Sequence, residues 1–320
     1  MPRIKIGVMG CAAIAKRSVL PAIRSLSDRF ELVCIASRSE AKAISFANEF
    51  GCKPIVGYDN LLKVDIDAVY IPLPTGLHEE WINKALQGGK HVYAEKSIAF
   101  SYVSALGMVE NAKKNDLALM EGYMFQYHTQ HQLVNKLISD GEIGEIRCFK
   151  SSFGFPPLSS DNFRYDNKIG GGVLFDAAGY TVKAVHLLMG MDFEVVASSL
   201  FFHDNHGTYT YGSAFLKGRN GLGAQIAFGF DNYYQCNYEI WGGRGKITAE
   251  RAFTPGPDLS PGIILETQGK STVLLAEKCN HFQRAMIVFH NLIVRSTDRD
   301  KHYEEIKLQS KSLDKIIELS

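Results

Sequence analysis

The first 120 residues alternate short runs of β-branched residues with stretches of helical periodicity. Strands that alternate with helices along a chain form parallel sheets, because each new parallel strand needs a crossover connection. Gly51 and Gly88 follow two of the helical stretches, where C-cap glycines belong. This half of the chain therefore predicts an α/β fold with a doubly wound parallel sheet. Its clearest strands are Ile4–Met9, Leu32–Ala36, Ala68–Ile71, His91–Ala94 and Leu117–Met120, and its clearest helices are Ile14–Leu26, Glu40–Phe50, Gly76–Gln87 and Ser101–Asn115.

The pattern changes near residue 125, where helical stretches give way to a long strand-rich region. Glycine, asparagine and aspartate separate its strands, and these residues suit antiparallel hairpins. An α+β domain with a mostly antiparallel open sheet is expected, so the chain divides into residues 1–122 and 123–320. The expected helices are Thr129–Ser139, Leu174–Met189, Cys279–Val294 and Leu313–Leu319, the strands are Glu145–Phe153, Val195–Phe202, Thr208–Leu216, Gly223–Gly229 and Gln235–Trp241, and Thr254–Pro261 is an expected loop.

Charge and hydropathy argue against several kinds of partner. A formal net charge of +1 without basic runs gives no electrostatic footprint for nucleic acid or for an anionic membrane. No apolar stretch approaches the roughly 18 residues of a membrane span. A strand-like run already begins at Ile4, which leaves no room before it for a signal peptide. We therefore expect a cytoplasmic protein with a small-molecule partner.

The six cysteines are widely spaced and form no Cys-x-x-Cys pair. This spacing predicts neither a zinc site nor a disulfide framework, and buried thiols are the simplest interpretation. We expect no metal ion.

A glycine turn joins the first strand to the first helix through Gly10-Cys11-Ala12-Ala13-Ile14. In this setting, backbone N–H groups and the helix dipole can hold a pyrophosphate. The Gly-x-Gly-x-x-Gly pattern is only partly met, since Ala12 replaces its second glycine and its methyl group narrows the approach of the phosphates. A merely tight turn is the alternative. The setting favours a Rossmann dinucleotide site that uses Gly10, Ala12, Ala13 and Ile14.

Ser37 and Arg38 follow the second strand, where NAD-preferring domains place an acidic residue for the ribose 2′-hydroxyl. A hydroxyl and a guanidinium offer charge-assisted hydrogen bonds to a 2′-phosphate, and Arg38 can also stack on adenine. The alternative is a solvated arginine at the start of a helix whose N-cap is Ser39. The missing carboxylate favours NADP over NAD.

A stiff, proline-containing loop follows the strand Ala68–Ile71. It lies at the carboxyl edge of the predicted sheet, where open α/β folds bind ligands. We expect Pro72, Leu73, Thr75 and His78 of this loop to cover the dinucleotide. In the alternative, Thr75 is the N-cap of the next helix, and the two roles are compatible.

Glu95 and Lys96 follow the next strand at the same edge, close to the expected position of nicotinamide, and both are expected to contact the cofactor. A single lysine after a strand is most often a solvated surface residue. Asp176 and Tyr180 follow a triple-glycine segment and are four residues apart, so a helix places a carboxylate and a phenol on one face, with Lys183 one turn along. The alternative for this pair is a carboxylate favoured by the helix dipole and a half-buried core tyrosine.

Two further segments complete the pattern, namely Glu121-Gly122-Tyr123-Met124-Phe125 with His128, and Gly170-Gly171-Gly172-Val173-Leu174-Phe175 before Asp176. With them, the chain resembles the Gfo/Idh/MocA oxidoreductases over nearly its whole length, most specifically in residues 1–190. In that family, a lysine from Glu-Lys-Pro and a Tyr or His four residues after an Asp form the active site. The resemblance implies catalytic roles for Lys96, Asp176 and Tyr180 in an NADP-dependent oxidoreductase that acts on a carbohydrate-type alcohol or ketone.

The resemblance also implies how these residues act on the reacting carbon. Tyr180 is expected to donate a proton to the developing alkoxide while Lys96 polarises the carbonyl oxygen, and Asp176 is expected to orient Lys96 or a substrate hydroxyl. The chain departs from the family at two positions. Ser97 stands where the family has proline, and Ala12 stands where it has glycine.

Substrate contacts are expected from Arg164, His128 and Lys183, although a structural hydrogen bond is an equally good interpretation of His128. Lys183 stands where many relatives carry asparagine. A tyrosine at the proton-transfer position, with Tyr233-Tyr234-Gln235-Cys236 and Arg251-Ala252-Phe253-Thr254, is similar to 3-keto reductases of nucleotide-linked sugars. A carbohydrate or sugar-nucleotide substrate is therefore expected.

Other functions fit the same residues. One is an NADP-dependent aldose or trans-dihydrodiol dehydrogenase, another is a dinucleotide-binding regulator without turnover, and a third is redox-assisted glycoside cleavage with tightly held NAD. An antiparallel sheet with helices on one side leaves its other face exposed, so we expect a homodimer or homotetramer that covers this face.

Overall fold

The chain folds into two units in the computed structural model, which describes residues 3–320. The first unit comprises the described residues up to Gly122 together with Phe282–Ser310. The second comprises Tyr123–His281 together with Lys311–Ser320. Of the helices in the described part of the chain, none combines the length and the apolar character needed to cross a membrane.

Six parallel strands form the sheet of the first unit, which confirms the expected α/β fold. The strands are β1 Ile4–Met9, β2 Phe30–Ser37, β3 Lys53–Val56, β4 Ala68–Ile71, β5 His91–Ala94 and β6 Leu119–Glu121, and the helices are α1 Leu20–Ser25, α2 Glu40–Phe50, α3 Tyr58–Leu62, α4 His78–Gln87 and α5 Tyr102–Lys114. The spatial order is β3-β2-β1-β4-β5-β6. All four residues of β4 are buried, as expected of a strand covered by helices on both faces.

The sequence pattern missed β3 and α3. β3 lies at one edge of the sheet and pairs only with β2 among the described strands, and three of its four residues are exposed. Its second residue is Pro54, which is tolerated at a sheet edge but weakens a strand pattern. Between Gly10 and α1, Ala15–Val19 forms a π-helical turn rather than part of one long helix.

The second unit is built on an eight-stranded sheet of order β14-β13-β12-β11-β7-β10-β9-β8. The strands are β7 Ile146–Gly154, β8 Phe193–His203, β9 Thr208–Gly218, β10 Gly223–Gly229, β11 Gln235–Gly242, β12 Gly245–Ala249, β13 Gly262–Thr267 and β14 Lys270–Leu275, and the helices are α6 Thr129–Ser139 and α7 Gly179–Met189. β7 and β10 are parallel, and the other pairs are antiparallel. The expected α+β fold with a mostly antiparallel sheet is thereby confirmed.

β12, β13 and β14 were not predicted. They continue the meander beyond β11, and the last of them is an edge strand that exposes Val273 and Leu275. In β14 three polar residues are followed by three apolar ones, so the strand lacks the apolar and polar alternation that marks a half-buried strand.

One face of the second sheet carries exposed aromatic side chains. Phe201 and Tyr211 pair across β8 and β9, and their rings stack with centroids 4.6 Å apart. Phe215 and Trp241 are also exposed, at 37% and 53%. α7 packs on β7 and β10. The aromatic face therefore has the apolar character that was expected of a self-association surface.

Two C-terminal helices complete the chain, α8 His281–Val294 and α9 Arg299–Glu318. The expectation that the second domain runs unbroken to residue 320 does not match the grouping of Phe282–Ser310 with the first unit. Tyr303 and Ile306 pack into the hydrophobic core of the first unit, and Arg299 donates hydrogen bonds to the backbone and carboxylate of Asp116. These contacts are long-range, so the local pattern of α9 did not reveal them.

Candidate active site

The glycine turn after β1 brings the end of this strand close to the loop after β4. Gly10 has a positive φ of 126°, which suits glycine, and its N–H donates to the carbonyl of Ala36 at 2.9 Å. A Cβ on Gly10 would lie 2.9 Å from Cδ2 of Leu73. Ala12 and Ile14 are half-buried and Ala13 is exposed where the helical turn begins. The turn therefore has the backbone that a dinucleotide site needs.

Ser37 and Arg38 lie at the carboxyl end of β2. Ser37 is buried and its Oγ accepts a hydrogen bond from the N–H of Ser39 at 3.1 Å. Ser39 in turn caps α2, accepting from the N–H of Lys42 at 3.4 Å, which confirms the alternative role expected of it. Arg38 is exposed beside Tyr58, whose pKa is raised by burial while the guanidinium opposes this rise. An exposed cation at this edge fits a 2′-phosphate.

The loop after β4 is buried and regular. Pro72, Leu73 and Thr75 are buried, and Thr75–Leu77 forms a 3-10 turn before α4. The alternative role of Thr75 as the N-cap of the next helix is wrong, because Thr75 lies inside the 3-10 turn and the N-cap of α4 is Leu77, without a side-chain cap bond.

His78, the first residue of α4, connects this loop to the segment after β5. Its ring is fully buried, with Nε2 2.7 Å from the carbonyl of Leu73 and Nδ1 2.9 Å from the carbonyl of Ser97. Burial lowers the pKa of His78 to about 4, and this effect outweighs the two carbonyls that favour protonation. A neutral ring donates to one carbonyl at a time. His78 therefore supports the loop from within rather than reaching outward to a ligand.

Lys96 is half-buried in a segment whose neighbours are held by hydrogen bonds. Glu95 Oε1 accepts from the hydroxyl of Tyr70 at 2.7 Å, and burial raises the pKa of Tyr70 well above its ordinary value. On the other side, the N–H of Ile98 donates to Oε1 of Glu121 at 2.8 Å. The Lys96–Ser97 peptide is cis. The backbone that carries the lysine is thus fixed from both directions.

Asp176 lies in a π-helical turn, Leu174–Ala178, directly before α7. Its Oδ2 accepts from Nε of Arg164 at 2.8 Å, and the side chain of Asp176 is 14% exposed. A Cβ on Gly170 would overlap the backbone of Phe163 and Arg164, so this glycine allows the two segments to approach. The structure therefore pairs two predicted site residues, a carboxylate and a guanidinium.

Tyr180 lies in the first turn of α7 and is 7% exposed. Its hydroxyl donates to Sδ of Met124 at 3.9 Å, a weak contact. A Cβ on Gly179 would overlap the hydroxyl of Tyr123, so this glycine lets α7 approach the aromatic cluster. Four rings surround Tyr180 with centroids 4.8 to 5.7 Å away, namely Phe153, Tyr123, Phe125 and Phe253.

The other two predicted substrate contacts are buried in the second unit. His128 is the N-cap of α6, and its Nδ1 accepts from the N–H of Gln130 at 3.1 Å. Its ring lies edge-on to His281 at 5.8 Å. The hydrogen bond from Gln130 therefore supports the structural interpretation of His128. Lys183 is 5% exposed on α7, one turn after Tyr180.

Sequence reasoning missed two of the aromatic rings that surround Tyr180. Phe153 comes from β7 and Phe253 from the segment after β12, so they lie 27 or more residues from Tyr180 along the chain. It also missed that Glu121 and Tyr70 hold the lysine segment. The segments Glu121-Gly122-Tyr123 and Arg251-Ala252-Phe253-Thr254 carried a signal, but neither pattern showed that its rings contact Tyr180.

Comparison with known proteins identifies the family. Residues 4–123 match the Gfo/Idh/MocA oxidoreductase family with an NAD-binding Rossmann fold, and residues 131–248 match the Gfo/Idh/MocA C-terminal domain. A dTDP-3,4-didehydro-2,6-dideoxy-α-D-glucose 3-reductase from Saccharopolyspora spinosa is 39% identical over 299 residues, 93% of this chain and 90% of the relative. The chain belongs to the Gfo/Idh/MocA oxidoreductase family. This confirms the family and the enzyme class that the sequence predicted.

Two further matches from Actinomadura kijaniata extend the comparison. A 3-reductase with the same name is 37% identical over 97% of this chain and 93% of its own. A crystal structure of a 3-ketoreductase in complex with NADP and TDP-benzene superposes with a TM-score of 0.95 and 36% identity, covering 99% of this chain and 98% of that chain. The same ketoreductase has been solved with one tyrosine changed to phenylalanine and with one lysine changed to alanine.

Proposed function

We propose that this chain uses NADPH to reduce the 3-keto group of a nucleotide-linked sugar to a hydroxyl group. The observation that carries the proposal is the likeness to dTDP-sugar 3-ketoreductases along nearly the full length of both chains. Such coverage includes the nucleotide-binding and the substrate-binding parts, whereas fold alone would not distinguish members of the family.

The residues of the first unit fit NADPH. The positive φ of Gly10 suits a tight turn that presents the backbone N–H groups at the start of the helix to a pyrophosphate. The exposed Arg38 guanidinium, next to Ser37, suits the 2′-phosphate that distinguishes NADP from NAD. The solved ketoreductase contains NADP, which supports the expected preference. When bound, NADPH supplies the hydride.

Lys96 and Tyr180 are the proposed catalytic residues. Tyr180 donates a proton to the oxygen of the ketone as the carbon accepts hydride, because a phenol is protonated at neutral pH. The Lys96 ammonium polarises the same oxygen. Hydrogen bonds hold the backbone on both sides of Lys96, and four aromatic rings pack around Tyr180. Both side chains are therefore oriented before the substrate binds. The two residue types are those changed in the solved variants of the ketoreductase.

Asp176 and Arg164 act together in this proposal. Because Asp176 accepts a hydrogen bond from Arg164, it is a positioning residue that holds the guanidinium near the start of α7. Arg164, together with Lys183 of α7, is the proposed contact for substrate hydroxyl groups.

The exposed aromatic face of the second sheet, around Phe201, Tyr211, Phe215 and Trp241, is the proposed surface for a homodimer or homotetramer. Exposed aromatic side chains on one face of a sheet are a feature of association surfaces. A cytoplasmic location stays a prediction.

Nicotinamide absorbance measured against a panel of substrates tests the proposed function. The panel holds a 3-keto dTDP-sugar, free aldoses and a trans-dihydrodiol, each with NADPH or NADP. We expect turnover with the keto nucleotide sugar and little with the others. Turnover only with aldoses or the diol would support a dehydrogenase, and NADPH binding without any turnover would support a regulator.

A further inference from the structure

A cluster of polar side chains in the second unit has no part in the chemistry proposed for Tyr180. It joins the start of β11 to the segment that follows β12. The hydroxyls of Tyr234 and Thr254 are 3.2 Å apart, and Nη1 of Arg251 donates to the Tyr234 hydroxyl at 3.2 Å. All three residues are exposed to solvent.

Arg251 carries a charge that the described part of the chain does not neutralise. Among residues 3–320, Arg251 makes no ion pair with a carboxylate, and its guanidinium lies over the Tyr234 ring at 5.4 Å from the centroid. An arginine stacked on an aromatic ring keeps its planar fork of donors, which matches phosphate oxygens. An anion is therefore the ligand that this cluster suits.

The backbone under Arg251 is fixed. The buried side-chain amide of Gln130 donates to the carbonyls of Arg251 and Ala252 at 3.1 and 3.2 Å. The N–H of Ala252 donates to the carbonyl of Cys236 at 2.8 Å, which ties the segment to β11. The guanidinium thus stands on a rigid support, a feature of built binding sites rather than of surface loops.

The same segment leads directly to the proton donor. Phe253, two residues after Arg251, packs against Tyr180 with ring centroids 5.7 Å apart. Two residues of extended chain span at most about 7 Å. The Arg251 Cα therefore lies within about 7 Å of the Phe253 Cα, and a single sugar ring separates a 3-keto carbon from a diphosphate on C1.

We propose that Arg251, oriented by Tyr234, binds the diphosphate of the nucleotide-linked sugar. This assignment rests on the proposed function, because only a nucleotide-linked substrate has a diphosphate to bind there. The subsite explains how one scaffold would distinguish a nucleotide sugar from a free sugar with the same keto group, since the free sugar leaves the guanidinium without a partner.

The test measures binding of dTDP by titration calorimetry to the whole protein and to R251A, R251K and R244A. Arg244 is the matched control, because it is an exposed arginine at the opposite end of the same hairpin and donates to the carbonyl of Gly141. We expect R251A to raise the Kd for dTDP about 10-fold or more, the scale of a lost hydrogen bond to a charged group. The R251K variant should lose less affinity for dTDP than R251A. The R244A variant should bind dTDP with the Kd of the unchanged protein. The Kd for NADPH should not change in any variant.

The outcomes separate the subsite from the function. Unchanged dTDP affinity in R251A, in a protein that still reduces the keto nucleotide sugar, overturns the subsite and leaves the function intact. A wild-type protein that reduces a keto sugar lacking the nucleotide, and does not bind dTDP, overturns both the nucleotide substrate and the subsite. Equal losses in R251A and R244A would also overturn the subsite, because a general charge effect would then account for binding.

Discussion

The segment that carries Lys96 and the helix that carries Tyr180 are held in place by different forces. The lysine segment depends on directional hydrogen bonds, from Tyr70 to Glu95 and from Ile98 to Glu121, and on the buried His78 ring. Tyr180 is held by ring packing from four aromatic side chains.

This difference decides what a substitution does in each region. A buried polar group that loses its partner is left unsatisfied, so a change near Lys96 affects both stability and position. A ring that keeps its shape but loses its hydroxyl still packs, so a change at Tyr180 can affect the chemistry alone. The two regions therefore separate structural from catalytic effects.

The largest expected effect is that of Tyr180→Phe. The phenyl ring retains the aromatic contacts, so the free energy of unfolding and the Kd for NADPH should stay close to those of the unchanged protein. kcat should fall by about 10² or more, the scale of a lost general acid. Tyr123→Phe, a change at a neighbouring ring of the same cluster, is the control for packing. Steady-state kinetics and calorimetric NADPH binding check this, and near-normal kcat would remove Tyr180 from its proposed role.

Arg38→Ala changes a residue that belongs neither to the hydrogen bonds around Lys96 nor to the aromatic packing around Tyr180. The side chain is exposed, so its removal should leave the fold unchanged while weakening NADPH about 10-fold or more, with little effect on NADH. Arg24, in the last turn of α1, offers a control of the same charge. Fluorescence titration with NADPH and with NADH measures the Kd of each cofactor and hence the ratio of the two. Equal weakening of NADPH and NADH would mean that Arg38 does not recognise the 2′-phosphate.

His78→Ala tests the hydrogen-bonded support of the segment that carries Lys96. Two buried carbonyls, of Leu73 and Ser97, lose their contact with the ring, so the free energy of unfolding should fall by about 1–3 kcal/mol. Because the loosened segment carries Lys96, kcat should fall while the KM for the keto sugar changes less. Urea unfolding measures the free energy of unfolding, and steady-state kinetics measure kcat and KM. A stability loss with unchanged kcat would show that His78 supports the fold without positioning the lysine.

Acidification should destabilise the fold through several buried histidines at once. Burial lowers the pKa of His78, His91 and His281 to about 4 and that of His131 to about 3, all from an ordinary value of 6.5. The unfolded chain then binds protons that the folded chain does not, so stability is complete above about pH 6.5 and declines as the pH falls toward 4. Urea unfolding at pH 7 and pH 5 should differ by at least about 1 kcal/mol. Equal stability at the two pH values would contradict neutral, buried histidines.

Local patterns predicted much of this molecule and long-range contacts explain most of what they missed. The parallel strands were readable because buried β-branched runs alternate with helices, and the cap at Ser39 was readable because it needs only neighbouring residues. Phe153 reaches Tyr180 from β7 and Phe253 from the segment after β12, and no spacing in the sequence links them. The role of His78 depends on a carbonyl 19 residues away, so the loop pattern suggested a ligand contact instead.

The proposed function requires that Lys96 and Tyr180 act on one substrate oxygen. A double-mutant cycle of Lys96→Met and Tyr180→Phe, with kcat measured for NADPH and a keto nucleotide sugar, tests it most directly. If the residues act as a unit, the double variant should be hardly slower than the slower single variant. Losses that simply multiply would contradict the account, because each residue would then act independently of the other.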